Sequence, residues 1–132
     1  MKTTDARRLL SLPVALLSLA ACGEVPAEAV RTAIADAIHA EGDMVMLPLP
    51  ALPGEETRRL MFDHVHEGVE ETPGGRYVAC VDFRGADGTI YDVDYYVDRE
   101  DGRLRVQELV VHKMGEEDVI PDSTRARLEE AS

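Results

Sequence analysis

The sequence predicts an α+β domain in which one N-terminal amphipathic helix packs on an antiparallel meander of about four strands. Three observations carry that prediction. Apolar residues recur every four positions at Val30, Ile34 and Ile38, which makes one stripe of a helix. Further on, three runs alternate apolar with polar residues: Tyr77–Phe83, Ile90–Val97 and Leu104–Lys113, the period of half-buried strands. Both links between these runs end in Asp-Gly, at Asp87-Gly88 and Asp101-Gly102, which suits a type I turn closed by a glycine at positive φ. A helix followed by a run of strands, without βαβ alternation, is the α+β arrangement.

Taken in order, Pro26 stands where a first-turn proline pre-sets φ for a helix. The helix runs from about Ala27 to Ala40, with Ala33 and Ala37 beside its stripe and Gly42 as a left-handed stop. Met44–Leu47 reads as a short strand, and Pro48, Pro50 and Pro53 then impose an extended loop that ends at Pro53-Gly54. Strand character returns from about Arg58 to His66 and pairs at the start of the meander. From Gly115 the chain is polar, and Pro121-Asp122-Ser123 opens either a short helix through Glu130 or a loose tail.

The strand faces hold the candidate chemistry. A loop over Gly85–Gly88 sets Val81 opposite Val93, so Tyr77, Ala79, Val81 and Phe83 share the core face with Tyr91, Val93, Tyr95 and Val97. The other face then collects Cys80, Asp82, Asp92 and Asp94. Burying several carboxylates together is costly unless they are paired, so this face is either solvated or occupied by a cation. His64 and His66 alternate and point the same way, and His112 ends the last strand. The register of the second hairpin stays open, because Gln107 and Glu108 interrupt both candidate apolar faces. Imidazole, thiolate and carboxylate are ligands for zinc or copper. The candidate metal set is therefore His64, His66, Cys80, Asp82, Asp94 and His112. The plainer alternatives are a wet acidic face and a buried, inert Cys80. No CxxC, HExxH, GxSxG or phosphate-binding glycine loop occurs, and no enzymatic activity is expected.

The first residues read as an export segment. Lys2, Arg7 and Arg8 precede the apolar run Leu9–Leu19, which ends in Leu19-Ala20-Ala21-Cys22. That ending resembles the lipobox of bacterial lipoproteins. The resemblance implies cleavage before Cys22, lipidation of its thiol and attachment to a membrane outside the cytoplasm; multiple acyl chains anchor stably where one is marginal. In a Gram-negative host Gly23, in place of an Asp, favours the periplasmic face of the outer membrane. The expected organisation is residues 1–21 signal peptide, 22–26 lipidated tether, 27–114 folded domain and 115–132 polar tail.

The runs around Phe62, His66, Tyr77–Phe83, Tyr91–Tyr95 and Val111–Lys113 also look like a module of small exported bacterial proteins to which no activity attaches. As an architecture, helix plus meander is similar to PepSY, cystatin-like and nuclear-transport-factor-like domains, whose roles are mostly binding or inhibitory. Likeness of fold does not carry function.

Composition narrows the partners. Of 132 residues, 14 are basic and 26 acidic. Removal of residues 1–21 takes away Lys2, Arg7, Arg8 and Asp5, leaving 11 basic against 25 acidic, a net charge of −14. Such a surface repels nucleic-acid phosphates and anionic headgroups. The lipid must then supply the membrane contact, and a protein partner or a cationic ligand is favoured. With Cys22 acylated, Cys80 has no intramolecular disulfide partner. The expected role is a non-enzymatic, lipid-anchored binding or accessory protein; the alternative is a zinc- or copper-binding lipoprotein.

Overall fold

The computed structural model describes residues 24–48, 57–120 and 122–130. The expected signal peptide, Cys22, and the prolines Pro50 and Pro53 lie outside the described residues. Among the described residues the chain forms helix α1 (Ala27–Ala40) and strands β1 (Met44–Pro48), β2 (Thr57–Glu71), β3 (Tyr77–Arg84), β4 (Ile90–Glu100), β5 (Arg103–Met114) and β6 (Glu117–Asp118), then helix α2 (Asp122–Glu130). The strands make one antiparallel sheet in sequence order. The α+β class holds, with six strands where about four were expected and two helices where one was. The surplus lies in β1, read as a short strand at Met44–Leu47, in α2, for which a short helix and a loose tail both stood open, and in β6, whose two residues are too few to show a period.

Helix α1 packs its stripe on one sheet face. Val30, Ile34 and Ile38 are buried against Leu60, Val81, Phe83, Tyr91, Val93 and Val97. Burial of each helix residue contributes about 1.5–3 kcal/mol. The helix ends as its glycine requires: Gly42 has φ +80°, and Asp43 N–H donates to Ile38 O at 3.2 Å.

The first hairpin forms as expected, with Val81 opposite Val93 and Gly88 at φ +84°. The second differs. Asp101 (φ +50°) and Gly102 (φ +75°) both take positive φ between the paired residues Glu100 and Arg103. This is a two-residue turn of type I′, whose twist matches that of the flanking strands.

Regular alternation fails in β2 and β5, and the failures position the site. In β2 the core-side residues are Leu60, Phe62, Val65 and Val69, and the pairing with β3 slips between Phe62 and His64 and again between Val65 and Val69. In β5 they are Leu104, Val106, Leu109, Val111 and Met114, and the pairing with β4 slips at Gln107 and at His112. The slips at Asp63, Gln107 and His112 each add one residue and the slip between Val65 and Val69 adds two, and all keep the apolar residues inward. Were Asp63 paired in regular register and not bulged, strict alternation from Leu60 and Phe62 would turn His64 and His66 into the core. With the bulge, both point to the acidic face.

Candidate metal centre

The second face of the sheet is partly covered by α2. Leu128 is buried and lines a cleft of about 560 Å3 together with Val78, Tyr96 and Ile120. Cys80, Asp94 and His112 also line this cleft, and His66 stands in its wall.

Strand pairing brings the polar residues together. Cys80 lies directly across from Asp94, and Asp82 from Asp92. Asp94 is in turn paired with Val110, two residues before the bulge that delivers His112. One donor atom each from Cys80, Asp92, Asp94 and His112 lie within 4.8 Å of one another. The Cys80 thiol donates to Asp94 Oδ1 at 3.0 Å, and His112 Nδ1 stands 3.4 Å from Asp94 Oδ2. Asp94 is only 7% exposed. Two buried atoms in this cluster, Asp92 Oδ1 and His112 Nδ1, have no hydrogen-bond partner. Buried polar atoms without a partner are uncommon.

The electrostatics follow from burial among anions. Burial pushes the Cys80 thiol far above its ordinary range, and Asp94 and Asp92 push it further. Burial also raises Asp94, against the opposing pull of the Cys80 thiol and His112. A thiol so raised is a poor nucleophile. A divalent cation among these four groups inverts the balance, because its charge favours thiolate and carboxylate alike.

The six residues expected as ligands therefore fall into two groups. Cys80, Asp94 and His112 meet and are joined by Asp92; His64, His66 and Asp82 form a separate cluster nearer solvent. Asp92 was legible as a neighbour of Asp94 by alternation; its convergence with His112 depended on the bulge. Cys80 is a free, half-buried cysteine that lines the cleft.

A cation of the protein's own closes one end of this face. Arg76, in the turn between β2 and β3, donates from Nε to Asp98 at 2.7 Å and from Nη1 to Glu108 at 3.3 Å. Its guanidinium also lies 5.1 Å from the centre of the Tyr96 ring. Arg127 of α2 donates to Glu108 at 2.6 Å. Charge on this half of the face is balanced by arginines, whereas among the described residues no Lys or Arg side chain comes within ion-pair distance of Asp92 or Asp94, although Lys113 lies across from Asp92 in the sheet.

No described helix is long and apolar enough to cross a membrane. No protein family, curated protein or solved structure matches the chain.

Proposed function

We propose that this chain is a lipid-anchored cell-envelope protein that binds zinc or copper, without catalysis, through Cys80, Asp92, Asp94 and His112. One observation carries the metal reading: four ligand-type side chains converge beside a half-buried cleft that three of them line, and two of their buried atoms make no hydrogen bond. Donor atoms around tetrahedral zinc lie about 3.4 Å apart, given bonds of about 2.0–2.3 Å. The 3.4 Å contact fits this spacing, and the 3.0 Å thiol–carboxylate contact has to open by about half an ångström. In the metal-free protein the thiol proton bridges Cys80 and Asp94; the ion takes its place.

The anchor reading is supported by Leu19-Ala20-Ala21-Cys22 behind a basic start and an apolar run. Gly23 favours the periplasmic face of the outer membrane in a Gram-negative host. A fixed position at a membrane and an acidic domain together suit a protein that concentrates cations there.

The test is the melting temperature of the full chain with and without added Zn2+ or Cu2+, since a ligand that prefers the folded state stabilises by mass action. The wild type is expected to gain several degrees with one of these ions. C80S and H112A are expected to lose most of that gain. An equal gain in C80S would exclude the thiol as a ligand, and no gain in the wild type would sink the metal reading.

A further inference from the structure

We propose that His64, His66 and Asp82 form a second, solvent-open metal site that captures the ion and passes it through the cleft to the Cys80 cluster. The transfer half of this proposal rests on the metal reading of Cys80, Asp92, Asp94 and His112; the capture half stands on its own geometry.

The two imidazoles stack with centres 5.2 Å apart and planes inclined by 14°. His66 Nε2 donates to Asp82 Oδ1 at 2.8 Å, and His64 Nε2 lies 3.9 Å from Asp82 Oδ2. One donor atom from each of the three residues falls within 4.8 Å of the others. Asp63, the extra residue of the bulge, accepts from His64 Nδ1 at 2.7 Å. That bond puts the proton on Nδ1 and leaves the Nε2 lone pair facing Asp82. A carboxylate behind a ligating imidazole is the usual way such a ring is oriented and made more basic. At His66 ligation needs the other tautomer: the proton leaves Nε2 for solvent and Nδ1 takes one up, so that Nε2 offers its lone pair.

Exposure separates the two clusters by task. The His64 side chain is 57% exposed, whereas Asp94 is nearly enclosed. Three protein donors leave a coordination position to water, and open sites exchange ligands. Four donors in the cleft leave none.

The sites adjoin through the sheet. Asp82 of the outer group is directly across from Asp92 of the inner group, a position where side chains lie about 4.5–5.5 Å apart and like charges destabilise. A cation moving between them relieves that repulsion. His66 shares the cleft with Cys80, Asp94 and His112, so the route between the groups stays on one face. Imidazole with carboxylate accepts Zn2+ or Cu2+, and the added thiolate makes the inner site softer and tighter.

The probe is Co2+ alone, added to the detergent-solubilised full chain with its native amino terminus. Equilibrium dialysis counts bound ions, and stopped-flow absorbance follows the thiolate-to-cobalt charge-transfer band, which reports arrival at Cys80. The wild type is expected to bind two ions. H64A/H66A is expected to bind one, with the band growing about tenfold more slowly, and D82N to act in the same direction. C80S is expected to lose the band and keep one ion. Two bound ions and wild-type band growth in H64A/H66A would overturn the proposal. A wild type without the band sinks the inner site, and the count then decides the outer one. One ion lost on H64A/H66A substitution upholds capture, and no ion in either protein refutes it.

Discussion

At the scale of single residues, two carboxylates on the same sheet face have opposite dependences on pH. Burial holds Asp94 above its ordinary value of 3.8. A raised folded-state value means stability that is complete below the unfolded value and lost as pH rises through the folded one. In urea unfolding of the metal-free protein, D94N should therefore match the wild type at pH 3 and gain on it as pH rises towards neutrality. The Asn oxygen still accepts from the Cys80 thiol. Glu108 behaves in the reverse way. Hydrogen bonding from Arg127, and then from Arg76, pulls it below its ordinary 4.5 against the opposing effect of burial. Its contribution is present above pH 4.5 and lost on acidification through the folded value. Arg76 is the larger lever, because its guanidinium serves Asp98, Glu108 and the Tyr96 ring at once. Arg76→Met should cost about 2 kcal/mol at neutral pH, since it leaves Asp98 without its cation and Glu108 with Arg127 alone. Chemical denaturation measures this loss, and salt should recover little of it. For the metal site the raised thiol sets the sign: each proton displaced on binding weakens affinity about tenfold per unit fall in pH. Titration with Zn2+ at several pH values reads that slope.

At the scale of elements, the bulges matter more than the turns. At a bulge of one extra residue, removing that residue restores simple alternation and leaves every side chain on its present face. In β5 without Gln107, Leu104, Val106, Leu109 and Val111 still face the core, and Glu108, Val110 and His112 still face the opposite side of the sheet. Deletion of Gln107 should thus preserve the fold at a cost of about 1 kcal/mol. Deletion of Val110, three residues on and outside any bulge, shifts His112 into the core and Val111 out of it. Circular dichroism melting should show a cooperative transition for the first deletion and a collapsed one for the second. Helix α1 provides the complementary test of packing. Ile34 is fully buried, and Ile34→Ala should cost about 2–5 kcal/mol.

At the scale of the whole molecule, one face of the sheet is for stability and the other for chemistry. The core face carries α1 and nearly all the fully buried apolar residues. The opposite face carries the acidic residues, three of the four histidines and the free cysteine. This division lets the polar face hold buried groups that make no hydrogen bond, because most of the apolar core lies on the other face. The proposed anchor places the molecule at a membrane, and intact-mass spectrometry of the native protein tests it: the expected species begins at an acylated Cys22. A chain beginning at Met1, or an unmodified amino terminus, would remove the lipid from the account.

By itself, the sequence determined the α+β class, helix α1 from Ala27 to Ala40, the register of Val81 on Val93, and a core face separate from a face of Cys80 and aspartates. These follow from local periodicity and from turn chemistry, which act over a few residues. The tertiary structure alone decided where the histidines point. A bulge adds a single residue without changing composition, and its place depends on which neighbouring strand is paired and how. Hence His64 and His66 were legible as a pair, but their turn towards Asp82, and that of His112 towards Asp94, required the slips in β2 and β5. The same holds for the division of the expected ligands into two clusters and for the fold of the last residues over the cleft. Both arise from contacts between segments far apart in the chain.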